Sequence, residues 1–351
     1  MSQLPDYSPQ SLLIGCYTKG AGGEGDGISV VHRDVGTGAL GPISTAVSTP
    51  APSFVVTHPA LPVIYAVNEL PEGLVSAFGI TPGGDVSPLG SWPTGGSFPC
   101  HLCVDEAARH LVVANYGSGS VASFVLDEAG VPVRRSGHVR HSGKGQHPQR
   151  QEGPHAHQVV PTEDGILAVD LGLDSVFRYR LDPAGALGDS EVAVRLRPGT
   201  GPRGFVRDGF GVLHVVGELS ATVTSFARRG ADWHELGTIA STAAGEAFPS
   251  EIAVSPDGRH LYVANRGPDT LAVFALSGGA PAFVGEVPTG GAWPRHFAFV
   301  EDFLYVANER SHTVVAFRVD PATGMPTPTG DVIATPSPTC IAPAAPLHRR
   351  S

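Results

Sequence analysis

The sequence predicts an all-β chain: a seven-bladed β-propeller with four antiparallel strands per blade, a single domain over residues 1–351. Three observations predict it. A proline, a polar residue and then an apolar strand recur at Pro52, Pro99, Pro154, Pro202, Pro249, Pro294 and Pro338, at intervals of 47, 55, 48, 47, 45 and 44 residues. A period near 45 marks a repeat architecture, whose stacked units share one continuous core. Each complete unit divides into short apolar runs joined by turns, the pattern of four-stranded blades. Finally, the last unit holds only Pro338-Thr339-Cys340-Ile341, while the strands over residues 11–48 belong to no unit. The two ends, about 11–48 and 338–342, then complete one blade between them and pair edges that would otherwise be free.

In chain order, residues 11–17 and 27–32 read as the first two strands, separated by the Gly-rich loop Lys19 to Asp26. That loop lacks the strand-to-helix setting of a phosphate loop. Asp34-Val35-Gly36-Thr37-Gly38 is a hairpin turn, and a short strand ends near Ser48. The Pro52 unit gives strands over 53–57, 63–69, 74–80 and 87–92; the Pro99 unit gives 99–104, 110–115, 119–125 and 133–138. Later second strands read 166–170, 213–218, 260–266 and 303–309, and later third strands 175–179, 222–226, 270–274 and 313–317. Turn signals such as Pro256-Asp257-Gly258 join first strand to second. Nothing longer than a turn has helical periodicity.

Composition fits and excludes. Forty-five Gly and 32 Pro suit many short strands and turns. A net charge of -10 argues against nucleic acid or an anionic membrane as partner. No apolar run approaches a membrane span of roughly 18 residues. The start has neither a basic n-region nor an apolar h-region, so a cytoplasmic location is expected, and so is a monomer. Four cysteines make no disulfide framework. Cys100 and Cys103 form a CxxC, but strand alternation puts them on opposite faces, against a metal or redox role.

In a blade the first strand lines the channel and the second runs antiparallel beside it, so first-strand starts and second-strand ends share one mouth. The first ring reads Ser53, His101, His155, His157, Arg203, Glu251, Arg295 and Thr339. The second reads Asn68, Glu69, Asn115, Asp170, Glu218, Arg266, Asn308 and Glu309. Asn115, Asn265 and Asn308 recur at one blade position and read as structural; Glu218 stands where other units put Asn or Asp. His155 and His157 project to the same side of a channel strand, with no evident third and fourth metal ligands, so no metal and no cofactor are expected. The insertion His141 to Glu152 explains the long interval. It is polar and carries Lys144 and Arg150, and is read either as a cap that supplies a cation to a substrate phosphate or as a solvated loop. Arginines hold anionic groups and stabilise an oxyanion, and a histidine with a carboxylate is a general base toward water. The set suits hydrolysis or isomerisation of a small anionic ester or lactone.

Arg150-Gln151-Glu152-Gly153-Pro154-His155-Ala156-His157, Gly201-Pro202-Arg203, Glu218-Leu219-Ser220, the run Ser255 to Arg266 and Trp293-Pro294-Arg295-His296-Phe297 resemble the seven-bladed propeller lactonase family. That family includes propeller-type 6-phosphogluconolactonases and the fungal carboxy-muconate lactonising enzyme. The resemblance runs from about Leu12 to Cys340, and the Pro-His-Ala-His stretch is its most specific part. It implies a metal-free lactone site built from His155, Arg203, Glu218 and Arg266. Pro202-Arg203-Gly204 departs from the Pro-Arg-His that family members often carry, which removes one imidazole.

The expected reaction is hydrolysis of a sugar lactone, with 6-phosphogluconolactone foremost. A muconate-type cyclase or isomerase and a non-catalytic interaction platform are the alternatives. In the expected mechanism His155, oriented by Glu218, activates a water, with His157 the rival base. Arg203 stabilises the oxyanion, and Arg266 or Arg295 holds the distal anion. His101 and Arg150 complete the substrate contacts. No Gly-x-Ser-x-Gly elbow is present, so no covalent serine is needed.

Overall fold

The computed structural model describes residues 11–81, 84–163 and 165–344. They form seven four-stranded antiparallel sheets, each with its strands in sequence order from the channel outward except the closing one. Blades 1 to 6 span residues 55–93, 99–140, 156–195, 202–240, 248–288 and 294–334. Blade 7 takes its inner strand, Pro338–Pro343, from one end of the chain and its other three, Ser11–Cys16, Gly27–Arg33 and Leu40–Ser48, from the other. Leu12 pairs with Pro343, Leu13 with Ala342 and Ile14 with Ile341. The closure expected from the split last unit is thus the one observed. Boundaries move by a few residues; the inner strand of blade 1 is only Val55–Thr57. Among the described residues no helix is long and apolar enough to cross a membrane.

Each sheet is covered on both faces by its neighbours. The second strands therefore read as continuous apolar runs and are buried along their length, as in Val63–Asn68, His110–Asn115 and His260–Arg266. Outer strands such as Leu40–Ser48 and Pro132–Arg140 face solvent and are exposed or half-buried along nearly their whole length. Seven apolar clusters lie between neighbouring blades, one between 1 and 2 joining Tyr65, Val75, Leu102 and Phe124.

A tyrosine latch recurs between blades. Tyr65, Tyr262 and Tyr305 are fully buried on second strands, and each donates its hydroxyl to a glycine carbonyl in the outer hairpin of the next blade: Gly130, Gly324 and Gly38. All three glycines have positive φ, between 72° and 79°. A Cβ on Gly38 would also lie 2.2 Å from Phe303. Gly38→Ala is therefore expected to cost about 2 kcal/mol or more in urea denaturation, since the left-handed backbone alone costs roughly 1–2. Gly36→Ala two residues earlier meets only Asp34, at 3.5 Å, and should be near neutral.

Candidate functional site

The site begins with a register defect. In blades 2, 3, 4, 6 and 7 one residue near the start of the inner strand is skipped by the pairing, a β-bulge. Pro202 pairs with Gly217 and Gly204 with Val216, so Arg203 is left over; Pro294 pairs with Asn308 and His296 with Ala307, leaving Arg295. The leftover residues are Cys100, His157, Arg203, Arg295 and Thr339. All five line one narrow cavity of about 20 Å3 on the channel axis, with His101, Glu251 and His296. That volume holds about one water, so a larger ligand must sit above it at the mouth.

The bulge corrects the reading of the histidine pair. The inner strand of blade 3 starts at Ala156, which pairs with Asp170. His157 is the residue aligned with Arg203 and Arg295, and it faces the cavity. His155 precedes the strand and packs at the mouth, stacked on Tyr116 with centroids 4.5 Å apart. The two rings do not share one strand face, because an extra residue breaks the alternation between them.

Above the cavity Glu218 gathers three arginines. Its carboxylate lies 2.6 Å from Arg150, 2.8 Å from Arg266 and 3.4 Å from Arg203. Glu218, Arg203 and Arg266 are buried; Arg150 is half-exposed. Burial pushes the Glu218 carboxyl up, but Arg266, Arg203 and Arg150 outweigh it and hold it at about 2. Arg203 is pulled down to about 10 by burial and by Arg266 and Arg295. Arg266 also donates to the carbonyls of Phe248 and Pro249. A second cluster faces it across the channel, where Arg295 meets Glu309 at 3.4 Å and the Tyr17 hydroxyl, which in turn donates to Glu69 at 2.9 Å.

Glu218 does not orient His155. That is a second correction: its oxygens are taken up by the arginines, and the carboxylate on His155 is Glu152, 3.2 Å from Nε2. The His155 Nδ1 donates to the Tyr116 carbonyl at 3.0 Å, which fixes the ring. Nor does Glu218 replace the recurring asparagine. Gly217 pairs with Pro202 as Asn115 does with Pro99 and Asn308 with Pro294, so Glu218 aligns with Tyr116 and Glu309 one step later.

His101 and His296 occupy the first paired position after the bulge and bridge blades. The His101 Nδ1 accepts the Val159 amide at 3.5 Å and the His296 Nδ1 accepts the Ile341 amide at 3.2 Å; Gln158 does the same for Phe205 at 2.8 Å. Burial, reinforced by nearby positive charge, holds both rings neutral with pKa values of about 3. Burial, with Arg203 and Arg295, likewise holds His157 well below the usual imidazole range. Glu251 moves the other way: burial raises it to about 7, against the pull of Arg203.

The insertion is built rather than solvated. Gln151 is fully buried; its amide donates to the Leu171 carbonyl and to Asp174, both at 2.8 Å, and its oxygen accepts the amides of Gln146 and His147 at 3.0 Å. This anchor presents Arg150 to Glu218 and Glu152 to His155. Sequence rings placed Glu69, Glu251 and Glu309 at the mouth without roles, and missed Tyr17, Tyr116 and Glu152. Aligning units on the asparagine would have placed Tyr116 beside Glu218. Among the described residues no group of three or more His, Cys, Asp or Glu side chains is arranged to hold a metal ion. Cys100 and Cys103 are not separated by alternation, because the bulge falls at Cys100: both are buried toward blade 3, Cys100 against the His157 carbonyl at 3.2 Å and Cys103 in the core between blades 2 and 3.

A seven-bladed propeller with a charge-paired, imidazole-bearing channel mouth is the frame of a propeller enzyme. The chain belongs to the family described as lactonase, 7-bladed beta-propeller, whose model matches residues 11–343, and it is a lactonase by that membership. It is 33% identical to a 6-phosphogluconolactonase of Bacillus subtilis, covering 93% of this chain and 96% of that one. A 6-phosphogluconolactonase of Formosa agariphila is 31% identical over 89% of this chain and 93% of its own length. Among solved structures, the periplasmic gluconolactonase of Pseudomonas aeruginosa superposes with a TM-score of 0.85 at 30% identity, covering 94% of this chain and 98% of that one.

Proposed function

We propose that this chain hydrolyses 6-phosphogluconolactone to 6-phosphogluconate at the channel mouth, in the cytoplasm, as a monomer and without a metal. The observation that carries the reading is the gathering of Arg150, Arg203 and Arg266 on the single carboxylate of Glu218, with Arg150 also reaching the Tyr116 hydroxyl of the ring on which His155 stacks. Three guanidiniums on one carboxylate leave an excess of positive charge, which suits a phosphorylated lactone and the oxyanion formed on it. The names of the relatives agree with a sugar lactone substrate. Four buried free cysteines agree with a reducing compartment.

In this mechanism His155, with Nδ1 held by the Tyr116 carbonyl, takes a proton at Nε2 from water as Glu152, 58% exposed, swings aside. The water oxygen bonds to the lactone carbonyl carbon. Arg203 receives the oxyanion. The ring C–O bond then breaks, His155 returns the proton to the leaving oxygen, and the acid product ionises. Arg150 and Arg266 hold the phosphate; Arg295, His101 and His157 border the floor. His157 is too weakly basic at neutral pH to compete as base, because a base works best with its pKa near the working pH.

The test is acid release at neutral pH from 6-phosphogluconolactone and from glucono-δ-lactone, with spontaneous hydrolysis subtracted. Enzyme-dependent acceleration, larger for the phosphorylated compound, is expected. His155→Ala should lower kcat about 100-fold or more, and His157→Ala much less. No acceleration with either lactone overturns the reading.

A further inference from the structure

Blade 3 departs from the asparagine of blades 1, 2, 5 and 6 by placing an acid at the same buried position. In blades 1, 5 and 6 the asparagine ending the second strand is fully buried, and its amide reaches back to the residues leaving the previous blade. Asn68 donates to Thr49 and Pro50, Asn265 to Ser241 and Asn308 to Thr289. Each bond ties one blade to the next, and the carbonyl oxygens of Asn265 and Asn308 are left without a partner. Blade 3 carries Asp170 at this position, paired with Ala156 as Asn308 is with Pro294. Opposite it, the residue leaving blade 2 is His141, where the other blades have Thr49, Ser241 and Thr289. Donor and acceptor have been exchanged, and a charge has been buried.

The exchanged pair is fully satisfied. His141 Nδ1 lies 2.5 Å from the Asp170 Oδ2, and both side chains are wholly buried. The His141 Nε2 meets the hydroxyl of Tyr179, itself fully buried. With the Asp170 carboxylate accepting at Nδ1, a neutral His141 accepts the Tyr179 hydroxyl at Nε2. The freed oxygen Oδ1 accepts the backbone amides of His155 at 2.8 Å and Leu173 at 3.0 Å. The Leu171 amide donates to the His155 carbonyl at 2.9 Å. An asparagine staple fastens two blades; this one also grips the backbone of the residue carrying the imidazole at the mouth.

We infer that Asp170 and His141 are positioning residues for His155: the buried pair fixes the backbone from which the imidazole reaches the substrate. The inference rests on His155 as the base. Asp170→Asn is the informative variant, because it restores the residue found at this position in four other blades and so keeps the fold. It removes the charge that orders His141 and tightens the grip on His155. A catalytic group misplaced by a small distance loses about 100-fold. Asp170→Asn and His141→Gln should each lower kcat about 10- to 100-fold, with KM within about twofold and the melting temperature of Asp170→Asn close to wild type.

Ring-nitrogen NMR on protein labelled at histidine gives a readout that does not depend on activity, with the His155 signals assigned by their loss in His155→Ala. Wild type should show one Nδ1–H tautomer for His155, and Asp170→Asn an averaged pair. An unchanged kcat with unchanged His155 signals in Asp170→Asn overturns the positioning role and leaves His155 as base untouched. Full activity in His155→Ala overturns the base reading instead, and the tautomer shift in Asp170→Asn then still decides whether the pair positions the ring.

Discussion

Deleting the chain from Pro338 onward should abolish cooperative unfolding. The strand Pro338–Pro343 is buried at all but its last residue, and it is the inner strand of blade 7. Its loss takes Cys340 and Ile341, each 1% exposed, out of the core and uncovers Leu12, Leu13 and Ile14, which pair with it. Each large apolar side chain returned to water costs about 1.5–3 kcal/mol. The sum for four or five such groups approaches the whole stability of a typical protein, about 5–15 kcal/mol. The contacts across the ring go as well: Thr339 donates to the Ser53 carbonyl at 2.8 Å and the Ile341 amide to His296 at 3.2 Å. Blades 6 and 1 would then face an open gap, and the Ser11–Cys16 strand would become a free apolar edge. Calorimetry should show no sharp transition and the protein should bind a hydrophobic dye. One sharp transition at the wild-type temperature would mean that the ring does not depend on this closure.

The blade count was legible because its signals are local and repeated. Proline marks a point where the inner strand has not yet entered the ladder, so it recurs at the same place in each unit, and second strands buried on both faces show as unbroken apolar runs. The split of the last unit could be read from the missing partners of Pro338-Thr339-Cys340-Ile341 alone. The arginines at the mouth were legible for the same reason, since Arg203 and Arg295 directly follow their prolines and Arg266 closes a second strand.

What could not be read is geometry that a residue count does not record. Alternation counts residues evenly along a strand, whereas the bulge at His157 adds one and moves His155 off the strand. The pairing of Glu152 with His155 depends on how Gln151 folds the insertion, through bonds to Leu171 and Asp174 that lie 20 and 23 residues away. Glu251 looks in sequence like any carboxylate. Its rise to about 7 comes from burial on the channel axis, which belongs to the assembled ring.

Replacing Glu218 by Gln should cost both stability and activity, for one electrostatic reason. The carboxylate lies within 3.4 Å of three guanidiniums, two of them buried with it. Removing one member of a buried ion cluster leaves uncompensated charge and typically costs about 3–5 kcal/mol. Besides burial, Arg266 and Arg295 already depress Arg203, and Arg295 depresses Arg266, so the neutral amide would leave that repulsion less opposed. The sign with pH follows from the depressed carboxyl. Its folded pKa of about 2 lies below the ordinary 4.5, so its contribution is fully present above about pH 4.5 and is lost as pH falls toward 2. Glu218→Gln should therefore unfold at lower urea concentration at pH 7, and the difference from wild type should narrow between pH 4.5 and 2. kcat/KM should fall about 100-fold or more, because the arginines that face the substrate lose the partner that holds them. Adding Arg150→Gln to Glu218→Gln removes one unpaired cation, so the double variant should be more stable than Glu218→Gln alone, a non-additive result expected only for side chains in contact. Glu218→Gln with unchanged stability at pH 7, or strictly additive effects in the double variant, would show that the carboxylate does not hold the cluster together.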